Sequence, residues 1–430
     1  MHKWFVALVG VFSLVGVFGH EQKEPDEIKT YNNTTYNKLV IDPYFSPYMG
    51  AEDIYTAFDT LSRLEDKRIP ALRKHPKKIS AMLIRLIEDS LWINLGRYMG
   101  IWQHEYFGHG FRIRSLGRDK FMITGYENDL FSGSTQFCVD DSKATLSDLL
   151  SIDIAGLESE GIMARTIANK WVEKEELNSR LGGLYIESAL SSWLYASNSI
   201  KGTLPTKDNF LSEGNDILAY VFDINNLYPS ANLTVRKVSE HLSCNILDPM
   251  LWYSFYAEIK YIIVGTTMKV PMFSFDIKGN NLKFLPAFRA RLTPYGIEND
   301  VVGYFKWNNM PITIDMRWGN LAQFTFGGVH VNMPTLVEVA GSNFGLEVDM
   351  WKQPNFEVSP TLLEFVDGVN TPLPSKSRYG GAILLNATLN LTDSKKTLPY
   401  VKIGYKSQGY YPGYILDAGW IGRVGIATKF

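Results

Sequence analysis

Two cysteines in 430 residues cannot frame a disulfide scaffold. Neither sign of charge prevails: 43 Lys and Arg stand against 45 Asp and Glu, a net charge of −2. Without a basic excess there is no broad phosphate-binding face, so nucleic acid is not expected as a partner. Beyond the amino-terminal stretch no run of about 18 apolar residues occurs, so no transmembrane helix is expected. A phosphate-cradling glycine loop and a Gly-x-Ser-x-Gly elbow are also missing. Aromatic residues, by contrast, are plentiful. They make up 13% of the chain, an excess that suits strands with an interface to decorate.

The beginning of the chain sets an expected compartment. A basic opening, Met1-His2-Lys3, leads into the apolar run 4–18, and Val17 and Gly19 are the small residues ahead of a charged stretch. This is the anatomy of a secretory signal peptide over 1–19, too short to span a bilayer comfortably. In an oxidising compartment Cys138 and Cys244 could pair.

Past the signal come an extended segment, 20–75, and then two unlike halves. Residues 76–250 are patterned as helices. Met82, Leu83, Leu86, Ile87, Leu91 and Leu95 recur at spacings of three and four within 79–102. Further helices are expected over 150–176, 184–199, 216–224 and 235–242. From 251 the period changes to two. Ile312, Ile314, Met316 and Trp318 alternate with Thr313, Asp315 and Arg317, and Ile383, Leu385 and Ala387 with Asn386 and Thr388. With 253–263 counted among them, about ten strands fit into 251–430.

One face of each strand is apolar and the other polar, an alternation that a soluble sandwich and a membrane barrel share. Strands of about nine to thirteen residues suit a tilted bilayer crossing. Trp307, Trp318, Trp351 and Tyr405 lie at strand ends, where an aromatic girdle would sit. The last strand ends on Phe430 in the alternating phase, and it resembles the terminal signal of Gram-negative outer-membrane barrels. The expected fold is therefore α+β: an amino-terminal helical domain followed by an antiparallel transmembrane β-barrel of about ten strands. Short and long connections place the helical part on the periplasmic side.

The chemistry concentrates in His104-Glu105-Tyr106-Phe107-Gly108-His109-Gly110, which holds two of only seven histidines. A zinc-peptidase helix places its two histidines four apart, so that both imidazoles face one metal. Here the spacing is five, which on an ideal helix turns the rings apart by roughly 140°. One residue inserted into the turn would realign them, and Gly108 is the residue best able to take that distortion.

The pattern His-Glu-x-x-Gly-His resembles the zinc motif of the dipeptidyl peptidase III family over about sixty residues. That resemblance implies a third ligand, a Glu about fifty residues on, in a Glu-Glu-x-x-Ala context. Glu160 matches in Glu160-Gly161-Ile162-Met163-Ala164, with Gly161 in place of the second Glu, and Glu158 is the alternative. Zn2+ held by His104, His109 and Glu160 would keep a fourth position for water, with Glu105 as general base. Asp153 and Glu158 are candidates to hold the imidazoles from behind.

The expectation is thus an outer-membrane zinc metallopeptidase with lipid around it and a peptide or envelope protein as substrate. The alternative is a non-enzymatic barrel, a porin or surface-assembly protein, with a degenerate or structural metal site.

Overall fold

The computed structural model describes residues 36–69, 78–355, 358–369, 374, 376–390 and 397–428. The signal peptide expected over 1–19 and the terminal Phe430 lie outside these residues. The chain opens with β1 (Asn37–Ile41) and α1 (Pro47–Arg68), the latter begun by the Ser46 cap and Pro47. Helix α2 (Ile79–His104) runs through one π-helical turn (Glu105–His109) directly into α3 (Gly110–Leu116). A hairpin follows, β2 (Phe121–Asn128) and β3 (Gly133–Val139). Then come α4 (Leu146–Asp153), α5 (Ala155–Lys174) and the two-residue β4 (Glu176–Leu177). Four helices complete this part: α6 (Gly182–Ser199), α7 (Asp216–Leu227), α8 (Val235–Leu242) and α9 (Pro249–Val264).

Beyond the short β5 (Met268–Lys269) the chain becomes strands. They are β6 (Phe273–Ile277), β7 (Asn280–Thr293), β8 (Gly296–Trp307), β9 (Met310–Leu321) and β10 (Phe324–Val339). After β11 (Ser342–Pro354) and a short α10 (Leu362–Val366) come β12 (Ser377–Thr388), β13 (Thr397–Lys406) and β14 (Gly419–Thr428). Tight hairpins at Lys278-Gly279, Asn308-Asn309 and Ala340-Gly341 hold both central residues at positive φ, the turn that matches strand twist.

All of β6 to β14 join β1 in one antiparallel sheet of ten strands, ordered β1-β14-β13-β12-β11-β10-β9-β8-β7-β6. The architecture is α+β, with helices first and the sheet after them. Three expectations are corrected. The sheet is not closed into a barrel, because β1 and β6 are its unpaired edges. Residues 253–263 are helix, not strand: Tyr253, Ser254, Ala257, Glu258 and Tyr261 are buried at spacings of three and four, between the Asp248 cap and the left-handed Gly265. The tenth strand is instead β1, inside the segment expected to be extended, which also holds the 22-residue α1.

Helices and sheet share their cores. Leu150, Ile154 and Tyr220 of the helices cluster with Leu292, Tyr295 and Phe326 of the sheet. Helix α5 lies against the inner face: Arg165 pairs with Asp315, and Thr313 donates to Asn169 Oδ1 at 2.9 Å.

The polarity of the sheet is the reverse of a soluble one. Inward lie Asp315, Arg317, His330, Glu347, Asp349 and Arg423, all buried, and the partly buried Lys402. They survive burial by pairing, as burial of charge requires: Arg317 with Asp349 at 2.5 Å, Lys402 with Glu347, Arg423 with Asp42 at 3.3 Å. Outward lie Met316, Met350, Ile383, Leu385, Ile403, Trp420 and Val424, with Met350 61% and Trp420 75% exposed. Cys138 and Cys244 are both free thiols, so the considered pairing is absent.

Candidate metal centre

The five-residue spacing of the histidines is resolved by the π-helical turn over Glu105–His109, which adds one residue between α2 and α3. The two rings come together, with Nε2 of His104 3.1 Å from Nε2 of His109. Gly108 earns its position differently from the expected one. The π turn keeps right-handed helical backbone, and what needs a glycine is space. A Cβ at Gly108 would sit 2.7 Å from the Ala155 carbonyl oxygen and 2.8 Å from Gly156 Cα, where α5 crosses. Ser159 of α5 donates to the Gln103 carbonyl at 2.7 Å, fixing that crossing.

A third donor converges on the pair from α7. Asp216 Oδ2 lies 3.0 Å from His104 Nε2 and 3.3 Å from His109 Nε2. Ligands about 2.0–2.1 Å from a tetrahedral zinc stand roughly 3.3 Å from one another, so these three atoms already have nearly that mutual spacing. Among the described residues, His104, His109 and Asp216 form a group that could hold a metal ion.

The far sides of the rings are tied down as a metal site requires. His109 Nδ1 is 2.8 Å from the Ile152 carbonyl oxygen, so it donates there and leaves Nε2 its lone pair. His104 Nδ1 faces Glu160 Oε1 at 3.4 Å. Burial disfavours charge on both imidazoles. It is outweighed by Glu160 and Asp216 at His104, which hold that ring well above its ordinary pKa, and by Asp216 at His109. The Asp216 carboxyl, although largely removed from water, is kept well below its usual range by the two histidines. The constellation is one that demands a positive charge, supplied by protons or by a cation.

Glu105, in the same turn, is buried, and its Oε2 accepts from Thr135 Oγ1 on β3 at 2.8 Å. Tyr195 of α6 completes the wall. Its hydroxyl accepts from the Asp216 backbone N–H at 3.3 Å, and its ring centroid is 6.5 Å from that of His104.

Of the three ligands that the motif resemblance implies, the structure brings His104 and His109 together and places Glu160 on the other side of the His104 ring. Glu160 lies behind His104, on the nitrogen remote from the cluster, because α5 runs past the outer edge of that ring. Glu158 is further removed. It binds Arg112 at 3.2 Å and the Tyr410 hydroxyl at 2.8 Å, and also accepts from the Gly413 backbone N–H. It joins α5 to the loop before β14. Asp153 does not hold an imidazole either; burial and its neighbour Asp223 push its carboxyl well up, and burial raises Asp223 to about 8.

Asp216, the residue missed, lies 112 positions beyond His104. Its only local signal is Asn215-Asp216 at a helix start, and an acid there reads as favourable to the helix dipole.

One glycine tests the packing of the site. A Cβ at Gly156 would overlap the His104 imidazole. Gly156→Ala is expected to displace that ring and weaken metal binding at least about 10–100-fold, the scale of disturbed outer partners. Metal titration beside circular dichroism checks it: unchanged affinity would mean that His104 is not held as described.

Comparison of the chain with protein-family models, curated proteins and solved structures finds no match. The reading of the site rests on its chemistry.

Proposed function

We propose that this chain is a zinc hydrolase of the metallopeptidase type, set in the outer membrane, with peptides or envelope proteins as substrates. The observation that carries the hydrolase reading is the π turn. It brings together two imidazole nitrogens, which Asp216 meets from α7, and it carries the buried Glu105 in the same turn, close enough for its charge to act on His109. Two nitrogens and one oxygen are a donor set of the kind catalytic zinc sites use. Zinc bound there supplies Lewis acidity to water and to a substrate carbonyl.

The protein's own groups do the rest. Glu105 takes a proton from water and returns it to the leaving amine. Thr135 holds its carboxylate in place. The Ile152 carbonyl and Glu160 orient the two imidazoles. The Tyr195 hydroxyl borders the cluster as a hydrogen-bond donor for a polarised oxygen.

The membrane reading is supported by the reversed polarity of the sheet. A large side chain left half exposed to water forgoes about 1 kcal/mol of burial energy. Over the whole outer face the loss approaches the about 5–15 kcal/mol by which a domain is stable. Acyl chains remove that cost. The porin alternative fits less well, since α5 and its ion pairs take up space along the inner face that a pore would need.

The test is metal analysis and peptide profiling of the detergent-purified chain. One zinc per chain and cleavage of members of a broad peptide library are expected. Absence of bound metal overturns the hydrolase reading, and zinc without cleavage makes the site structural. A full-length chain that stays soluble without detergent overturns the membrane reading.

A further inference from the structure

Helices α2 and α9 carry the same reversed polarity as the sheet. On α2, Leu83, Ile87 and Leu91 are exposed while Arg85, Glu88 and Asp89 are buried. On α9, Phe255, Ile259 and Ile263 are exposed while Glu258 is buried. Two of the inward groups of α2, Arg85 and Glu88, bond to α9. Arg85 donates to the Ile262 and Ile263 carbonyls at 2.8 and 2.9 Å, capping the end of α9. Glu88 accepts from Arg180 at 2.9 Å and from the Tyr261 hydroxyl at 2.5 Å.

These helices also link the two ends of the sheet, at β1 and at β7, the strand next to the β6 edge. Packing contacts run without a break from β7 to α9, from α9 to α2, from α2 to α1 and from α1 to β1. At the β1 edge, helix α1 satisfies the free backbone. Asp53 accepts from the Val40 N–H at 2.8 Å, and Thr56 both accepts from the Lys38 N–H and donates to its carbonyl. An edge capped by side chains has no need of a partner strand.

We propose that α2 and α9 complete the wall that the sheet leaves open, with their apolar faces against lipid acyl chains in one belt with the outer face of the strands. The inference rests on the membrane reading above. No helix of the described residues is long and apolar enough to cross a membrane by itself. A wall helix needs only one apolar face, provided its charges turn inward, and those between Ile79 and Leu95 of α2 do. Its exposed apolar stretch from Ile79 to Leu95 covers about 24 Å at 1.5 Å per residue, close to the roughly 25 Å apolar band of outer-membrane barrels.

The experiment places single spin-labelled cysteines in a Cys138→Ser, Cys244→Ser background, in vesicles of phosphatidylethanolamine and phosphatidylglycerol. Leu83, Ile87 and Ile259 report on the helices, and Ile383, Leu385 and Ile403 on the sheet. Collision with oxygen, which enriches in acyl chains, is compared with collision with a water-soluble nickel chelate. Oxygen collision several-fold above nickel at both sets is expected. Helix labels that meet nickel while sheet labels do not overturn the wall but leave the membrane reading standing. Helix labels shielded from both probes and cross-linking to a second copy overturn it in favour of an interface. Nickel access at both sets overturns both readings.

Discussion

Replacing Glu105 by Gln should leave one zinc per chain and an unchanged fold, while turnover of any peptide substrate falls about 10²–10⁴-fold or more, the contribution of a general base. Glutamine keeps the shape and can still accept from Thr135 through its amide oxygen, as the carboxylate does at 2.8 Å. It cannot take a proton at neutral pH. The separation between metal content and turnover is what identifies a base. If Glu105→Gln loses the metal instead, Glu105 is a ligand, and the cluster of His104, His109 and Asp216 is not the whole centre. If the variant keeps full activity, the proton is taken elsewhere, and Tyr195 becomes the group to examine next.

Asp216→Ala and Glu160→Ala should differ sharply. Asp216 places an oxygen within 3.3 Å of both Nε2 atoms, so in the proposed centre its loss removes a ligand and should abolish stoichiometric zinc. Glu160 touches only the remote nitrogen of His104, at 3.4 Å. Its loss frees the ring to turn and should weaken binding about 10–100-fold. Competition with a zinc chelator measures both. The reverse ranking would return the ligand role to Glu160, the residue that the motif resemblance implies. Asp216→Ala also removes an acid from the first turn of α7. Asp216→Asn, which fits the same turn, separates metal loss from any loosening of that helix.

How far the sequence reached can be read residue by residue. The five-residue spacing of His104 and His109 already required an inserted residue in the helix, and the π turn over Glu105–His109 supplies it. Helix α8, Val235–Leu242, has the bounds its pattern marks. These features are local, set by periodicity and turn chemistry within a few residues. Residues 253–263 fold as helix rather than strand for a related reason: an apolar stretch of that length satisfies either period until its neighbours decide.

What the sequence determined by itself was the division into helices then strands, the alternation along each strand and the pairing of the two histidines. Each follows from forces acting within one element. Only the tertiary structure decided the rest. Strand alternation has the same form whichever solvent lies outside, so the outward turn of Met350 and Trp420 became visible only when Asp349 and Lys402 were seen paired within. The open sheet and β1 as its tenth strand depend on which edges meet, and Asp53 and Thr56 satisfy one of those edges from another helix. The third donor, Asp216, comes from a distant segment whose local role is to begin a helix. Nothing near it in the chain marks its carboxylate as a partner of the two histidines, because only the placement of α7 beside the π turn brings it there.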